Sequence, residues 1–434
     1  MSPAPGAATA AARDRRPRAL RVTVPPLLRD MVFRRYWGAS TISLFGDQVS
    51  SIAVPLAAVL ALHANAAAMG LLTALEWLPS LLFGMHAGAW ADRRGKRRQT
   101  MIAADLGRAA LMATIPVCYA LHVLTLALMF AVTFAAGTLS ILFNVSDSTL
   151  FVSIVAPDDY VDGQSLLNGS RALSYVAGPS AGGLLAQALS APFAIAADAL
   201  SFLGSAFFLG RIRPAEPPAD RTPGSVTIGL RFIARSPIVR ASLVAVAIVN
   251  LFDLMFLALF MLYAVRELHV RPGVLGLVLG AGAIGGVLGS VLTKRIAARV
   301  GVGKAYVAGC LVFTAPLALV PLAPVHGGAL VLVMLFAAEF LSGFGVMLLD
   351  ISIGAIFAVV IPDTMRARVS GAFQAINYGT RPVGALLGGL LGTTLGLRPA
   401  LWIAVAGAVT GALLLLPSPL PGFRMPDTAA DTAS

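Results

Sequence analysis

Charge is what this sequence has least of. Only 12% of its 434 residues are charged and 58% are hydrophobic, where a soluble globular chain carries roughly 25% and 45–50%. That shortage excludes a soluble enzyme and a disordered chain. Cysteine is nearly absent: Cys118 and Cys310 each sit in an apolar run with no CxxC partner. A disulfide-stapled secreted domain is thereby excluded, and the two thiols read as inert small core residues. The five histidines show no metal-ligand spacing. No Walker A pattern, HExxH or nucleophile–histidine arrangement occurs, which counts against a polytopic membrane enzyme. Lysine is rare too, 3 against 29 arginines. With the wealth of Ala and Gly, this points to a bacterial composition rather than to a mechanism.

What remains is lipid-soluble chain. Mean hydropathy is +0.84, and a helical crossing needs about 20 apolar residues. Twelve apolar segments follow one another at 36–62, 68–91, 99–121, 124–150, 165–188, 192–210, 241–264, 272–293, 304–323, 328–352, 369–394 and 398–416. The reading is an all-α membrane protein of twelve transmembrane helices. Residues 1–35 form a disordered cytoplasmic tail, 36–210 a first six-helix bundle, 211–240 a cytoplasmic linker, 241–417 a second six-helix bundle and 418–434 a C-terminal tail. Met31 is an alternative start. Of the 32 Lys and Arg, 26 fall on the side of both termini, 3 on the opposite side and 3 inside spans. Because cytoplasmic loops collect Lys and Arg, both termini are expected in the cytoplasm of a bacterial plasma membrane. The same asymmetry accounts for the net charge of +12 without a nucleic-acid partner.

The chain repeats at an offset of 206 residues. Asp47 in LFGD matches Asp253 in NLFD, Gly70-Leu71 matches Gly276-Leu277, and Arg34 matches Arg240. Ala91-Asp92-Arg93-Arg94-Gly95 falls on Ala297-Ala298-Arg299-Val300-Gly301. Gly178, Gly182 and Gly183 fall on Gly384, Gly388 and Gly389. An ordered set at one offset implies two six-helix halves in the same orientation, an arrangement known among transporters. Glycines four apart recur in segments 2, 5, 8 and 11, giving small faces for close helix approach. Pro179 is expected to interrupt the hydrogen-bond ladder of segment 5 and allow a bend.

The loop Gly88-Ala-Trp-Ala-Asp92-Arg93-Arg94-Gly95-Lys96-Arg97-Arg98 resembles the signature loop of the major facilitator superfamily. Gly178-Pro179-Ser-Ala-Gly182-Gly183 is similar to the second half of the antiporter motif of its drug exporters, with Ser165 and Ser174 where that motif has earlier glycines. FRRYWGASTISLFGDQ and PDTMRARVSGAFQ resemble the branch of macrolide efflux pumps and enterobactin exporters. The resemblance implies that helices 1, 4, 7 and 10 line a central cavity. It also implies that Asp92, with Gly88, Arg93, Gly95, Lys96 and Arg97, latches the two halves at the cytoplasmic end of helix 11. A carboxylate near a helix N-terminus is stabilised by the helix dipole. The second copy has Ala298 there, so the latch is expected in the first half only.

Ionisable groups inside hydrocarbon cost about 2.5–3.5 kcal/mol each on insertion scales and mark function. Asp47, Asp147, Asp253, Glu339 and Asp350 fall on segments 1, 4, 7 and 10, and Glu76, Asp105 and Asp198 on segments 2, 3 and 6. Asp47, Asp253, Glu339, Asp350, Asp147 and Arg171 are the candidates for proton or substrate binding. Asp105 and Arg108, three apart on one helix face, read as a structural pair. Arg381 has no partner nearby in sequence. The expected function is export of a small amphipathic molecule, such as a drug, macrolide or siderophore-like compound, by proton antiport and alternating access. No cofactor, metal or catalytic residue is expected, the proton being the coupling ion. The expected partners are the substrate and the lipid bilayer, with the chain a monomer. An uncoupled facilitator or lipid flippase on the same fold is the alternative.

Overall fold

A computed structural model describes residues 26–213 and 226–425, without the side chains of residues 85–94, 226–228 and 367. Residues 1–25, 214–225 and 426–434, which carry parts of the expected tails and linker, lie outside the described residues. Among the described residues every regular element is helical. The first six are α1 (Met31–Leu60), α2 (Ala66–Arg94), α3 (Arg97–Ala120), α4 (Leu126–Ile154), α5 (Tyr160–Leu189) and α6 (Ala191–Gly210). The short α7 (Val226–Arg235) follows. The second set is α8 (Pro237–Arg266), α9 (Pro272–Val300), α10 (Val302–Thr314) with α11 (Leu319–Leu322), α12 (Ala329–Val360), α13 (Asp363–Thr394) and α14 (Leu397–Leu413).

Nine of these, counting α10 and α11 as one unit, are long and apolar enough to cross a membrane by length and composition. The chain is a multi-pass membrane protein. α14 is shorter, and α5 and α13 fall outside that set although each runs 30 residues or more. Their polarity is the reason: α5 carries Asp162, Gln164, Asn168 and Arg171, and α13 carries Arg366, Arg368, Gln374, Asn377 and Arg381. With these three the lengthwise elements number twelve. Pro316 and Pro321 remove backbone donors where the α10–α11 unit passes through a 3-10 turn at Ala315–Ala318. α5, in contrast, continues through Pro179.

Several boundaries differ from the hydropathy windows. α1 starts at Met31, where Asp30 caps it by accepting from the Val32 amide at 2.9 Å. Hydropathy misses this turn because Arg34 and Arg35 are polar, whereas a cap is local backbone chemistry. α8 starts at Pro237, with Ser236 accepting from the Val239 amide. Beyond α14, Leu415 and Leu420 are fully buried against Tyr306 and Cys310, so the start of the expected tail is packed structure.

Each half is a self-contained packing set. α6 lies against α1 and α3, and α4 against α2 and α3; in the second half α12 lies against α9 and α10, and α14 against α8. The halves meet where α5 packs on α9 and α2 on α13. The face on which α1 begins also carries the α2–α3, α8 and α9–α10 junctions. We call it the start face and its opposite the far face. Far-face turns hold His63, His122 and His269 in left-handed backbone, φ 51°, 58° and 54°, a conformation in which histidine is several-fold enriched. His63 and His269 are themselves one repeat apart.

Candidate functional site

The glycine pattern determines how the halves touch. A Cβ built on Gly183 of α5 would lie 2.5 Å from the Pro272 carbonyl and 2.9 Å from Gly276 Cα on α9. One built on Gly70 of α2 would lie 2.6 Å from the Ala385 carbonyl and 2.7 Å from Gly389 Cα on α13. Gly183 and Gly389 are one repeat apart, as are Gly70 and Gly276. The two seams are therefore the same contact made twice, once by each half. Within the halves, Gly182 packs on Val49 and Gly388 on Met255, again one repeat apart. In the antiporter-like motif, Gly178 abuts the Gln48 side chain, Gly182 serves α1, Gly183 serves α9, and Pro179 reaches the space between the halves.

Below the seams the halves part around a cavity of about 800 Å³. Its wall is mostly apolar and aromatic, with Met69, Trp77, Tyr175, Phe260, Met261 and Phe313. Gln48, Ser51, Asn168, Ser290 and Ser342 supply neutral polar groups. Charge enters as Glu76 from α2, Arg171 from α5 and Glu339 from α12. A concave apolar surface with a few convergent polar groups is the usual form of a small-molecule site.

The expectation that helices 1, 4, 7 and 10 line this space needs correcting. α1, α8 and α12, the first, seventh and tenth crossings, do line it, but α2, α5 and α9 contribute as much and no residue of α4 appears in the wall. α2, α5 and α9 form the seams, so their continuations necessarily bound the space beneath.

Of the proton or substrate candidates, Glu339 and Arg171 reach the cavity. A Cβ on Gly282 would sit 3.4 Å from Glu339 Oε2, and the charge that reaches Glu339 is that of Asp253. Asp147 on α4 instead accepts from the Tyr36 hydroxyl at 2.8 Å, within electrostatic reach of Arg171. Asp253 and Asp350 lie within reach of Arg381. Asp47 is half-buried beside the cavity residue Gln48 and lies 3.7 Å from Arg108. Arg108 also pairs with Asp105.

The structure gives two groups a place that the sequence does not. Glu76, an acid in a span, faces the cavity. Arg381 lies with its guanidinium 4.0 Å from the Trp77 ring centre and 4.8 Å from that of Tyr378, within electrostatic reach of Glu76. The α2–α13 contact makes this arrangement, and α2 and α13 are about 300 residues apart in the chain, so only an aromatic next to an acid hinted at it.

Of the residues expected to form a latch, Gly88, Asp92 and Arg93 fall where side chains lie outside the described residues. Gly95 adopts φ +62°, a backbone that suits glycine, and Arg97 is buried. Next to them, Arg98 donates to the carbonyls of Leu209 and Gly210 at 2.8 and 2.7 Å, and Arg35 donates to that of Arg211 at 2.7 Å. These cations close the C-terminal end of α6, where Leu209 also accepts from the Ile212 amide at 3.3 Å and the helix dipole favours positive charge.

The sequence matches the family described as transmembrane secretion effector over residues 22–433. YfiS of Bacillus subtilis (strain 168), an uncharacterized MFS-type transporter, is 28% identical over 412 aligned residues, covering 87% of this chain and 89% of YfiS. Among solved structures, the nucleoside transporter NupG superposes with a TM-score of 0.71 at 12% identity, covering 89% of this chain and 98% of NupG. A bacterial homologue of the iron transporter ferroportin, in an inward-facing state, gives 0.71 at 16% identity, covering 91% of this chain and 99% of its own. At these identities the structural likeness speaks for the fold alone.

Proposed function

The chain belongs to the transmembrane secretion effector family of major facilitator transporters, and from that premise we propose that it exports a small amphipathic molecule by alternating access coupled to proton antiport. Two pseudo-symmetric six-helix halves are the architecture of such a transporter, and YfiS is named as one. The cavity carries the proposal. It lies between the halves, on the start-face side of the paired glycine seams that join them at the far face. If Lys and Arg mark the cytoplasm, this is the inward-facing state of a bacterial plasma-membrane protein. Rocking about the seams would then open the far side.

The cavity wall favours an amphipathic cargo. Aromatic and methionine side chains supply adaptable apolar contact, while Glu76, Glu339 and Arg171 orient a polar head. Drug, macrolide and siderophore-like molecules have this make-up. Proton coupling is supported by the acids on α1, α8 and α12. Alternating access needs no cofactor and no covalent step, and the chain acts as a monomer with lipid and cargo as its partners. Asp92 is assigned to the start-face latch on its loop sequence.

The test is efflux of ethidium and of a macrolide from a pump-deficient host, with and without a protonophore. Expression should lower accumulation of one or both, and the protonophore should abolish the effect. Protonophore-insensitive movement would replace antiport by facilitation or lipid flipping.

A further inference from the structure

The densest polar network among the described residues lies inside the first half, away from the cavity wall. Arg108 on α3 is 2% exposed. Its guanidinium pairs with Asp105, lies 3.7 Å from Asp47 and donates to Ser140 Oγ at 3.3 Å. The Phe143 and Phe202 rings flank it at 4.6 and 4.1 Å. Asp198 on α6, 1% exposed, accepts from Ser50 of α1 at 2.5 Å and from Ser201 at 3.1 Å. Asp47 lies within electrostatic reach of both Asp198 and Asp105. From the other packed elements, Glu76 of α2 lies within electrostatic reach of Asp47 and Asp147 of α4 within reach of Asp105, while the cation of α5, Arg171, acts on Asp147 and Tyr36 rather than on the three carboxylates.

Three carboxylates thus share one guanidinium. Fully ionised, they leave an excess of two negative charges in a medium that does not tolerate unpaired charge. Its hydrogen bonding is incomplete on both sides: Asp105 is fully buried and its Oδ2 has no hydrogen-bond partner, and neither has the Arg108 Nε donor. The carboxylates are not arranged as a metal-ligand set. A proton on a carboxyl oxygen supplies the missing positive charge.

The internal repeat shows that the fold does not require this network. One repeat on, Asp105, Arg108 and Asp198 become Leu311, Thr314 and Ala404. Packing contacts fix that register. Gly107 packs on Leu139, and their counterparts Phe313 and Gly345 pack on each other. Gly46 leaves room for Ser201 and Asp198, whereas its counterpart Phe252 packs its ring on Gly407, the counterpart of Ser201. The second half fills with a phenyl ring the space that the first half gives to polar groups. A buried ion cluster kept where apolar packing serves equally well is weak evidence for a stabilising role.

We propose that Asp47, Asp105, Asp198 and Arg108 form a proton-binding site confined to the first half and separate from the substrate cavity. Asp47, the half-buried member, is the entry, and Asp198 is the enclosed store. Ser50 donates to Asp198 while Gln48, Ser51 and Ile52 of the same helix line the cavity. Loading or emptying the site therefore shifts α1 at the cavity wall. As the coupling site of an antiporter it rests on the reading above; as a proton site it is tested alone.

The test needs no substrate. Proton uptake by the purified full-length protein is measured with a pH-indicator dye on acidification, and infrared difference spectra record the protonated-carboxyl C=O band. Asp198→Asn should remove one carboxyl band and lower uptake by about one proton per chain relative to wild type. The combined variant D105L/R108T/D198A carries the second half's residues, so it should insert and remain monodisperse. It should lose the bands of Asp105 and Asp198 and keep that of Asp47. If both variants keep the wild-type uptake and bands, the proposal falls, whatever the transport assays give. If the bands disappear as expected but efflux is insensitive to protonophore, the site stands and the antiport reading falls.

Discussion

Gly183 of α5 and Gly276 of α9 meet backbone to backbone, and no side chain separates the two halves at that point. A Cβ on either residue collides with main chain of the other helix rather than with a movable side-chain tip. Gly183→Ala and its repeat counterpart Gly389→Ala should each cost the far-side closure about 1–3 kcal/mol by overpacking. Cysteines at Ala66 and Gly392 report that closure, because Gly392 abuts Ala66. The crosslinking rate of that pair should fall about tenfold in the Gly389→Ala background if the penalty is about 1.4 kcal/mol. An unchanged rate would mean that the seam bears no load.

Arg381 should contribute through its plane as well as its charge. Arg381→Lys keeps the cation but loses flat contact with Trp77 and Tyr378, and guanidinium and ammonium are not interchangeable at a stacked site. The expected loss is about 1–2 kcal/mol, read as a lower midpoint of thermal unfolding in detergent. Trp77→Phe should lose less than Trp77→Ala. Equal losses would reduce the contact to simple packing.

At the C-terminal end of α6, Arg98→Ala removes two charge-assisted hydrogen bonds. Because this end is partly solvated, the expected cost is at the low end of about 1.5–3 kcal/mol. Arg98→Lys should recover less than half of it, since one ammonium cannot serve both carbonyls in the geometry of the guanidinium fork. A thermal midpoint unaffected by Arg98→Ala would show that Arg35 and solvent suffice.

Topology is tested by single cysteines in a background lacking Cys118 and Cys310. A cysteine at His63, in the first far-face turn, should label from outside intact cells. One at Thr222, between the halves, should label only after permeabilisation. Labelling of both from one side would refute the expected orientation.

The element plan was legible because lipid imposes it. Each crossing needs an apolar run, and runs are visible without knowing any partner. The repeat was legible for the same reason, and it named Gly70, Gly183, Gly276 and Gly389 before their contacts were known. Facing directions were not legible. Asp47 and Gln48 are neighbours in the chain, yet one joins a buried ion network and the other a cavity wall. Asp198 lies about 150 residues from Ser50, and nothing local marks it as a member of Arg108's network. Glu76 and Arg381 illustrate the same limit, since a helix pair brings them together and the sequence does not say which helices pair. The expected lining by α4 failed because an apolar helix bearing an acid can turn that acid toward its own bundle, as Asp147 does toward Tyr36.

The exchange of bulk between Gly46–Ser201 and Phe252–Gly407 carries a historical consequence. If the halves descend from one duplicated bundle, neither pair could have been converted into the other by phenylalanine first, because a ring at residue 46 would strike Ser201 and Asp198. The permissible path opens the pocket first, through a small residue at the α6 or α14 position, and fills it afterwards. Grafting the second half's packing onto the first should obey the same order. Gly46→Phe alone should misassemble, whereas Gly46→Phe introduced together with Ser201→Gly and Asp198→Ala should not. The two bundles thus differ by an ordered sequence of steps, and recombining them one residue at a time passes through an unpackable intermediate whenever the ring comes first.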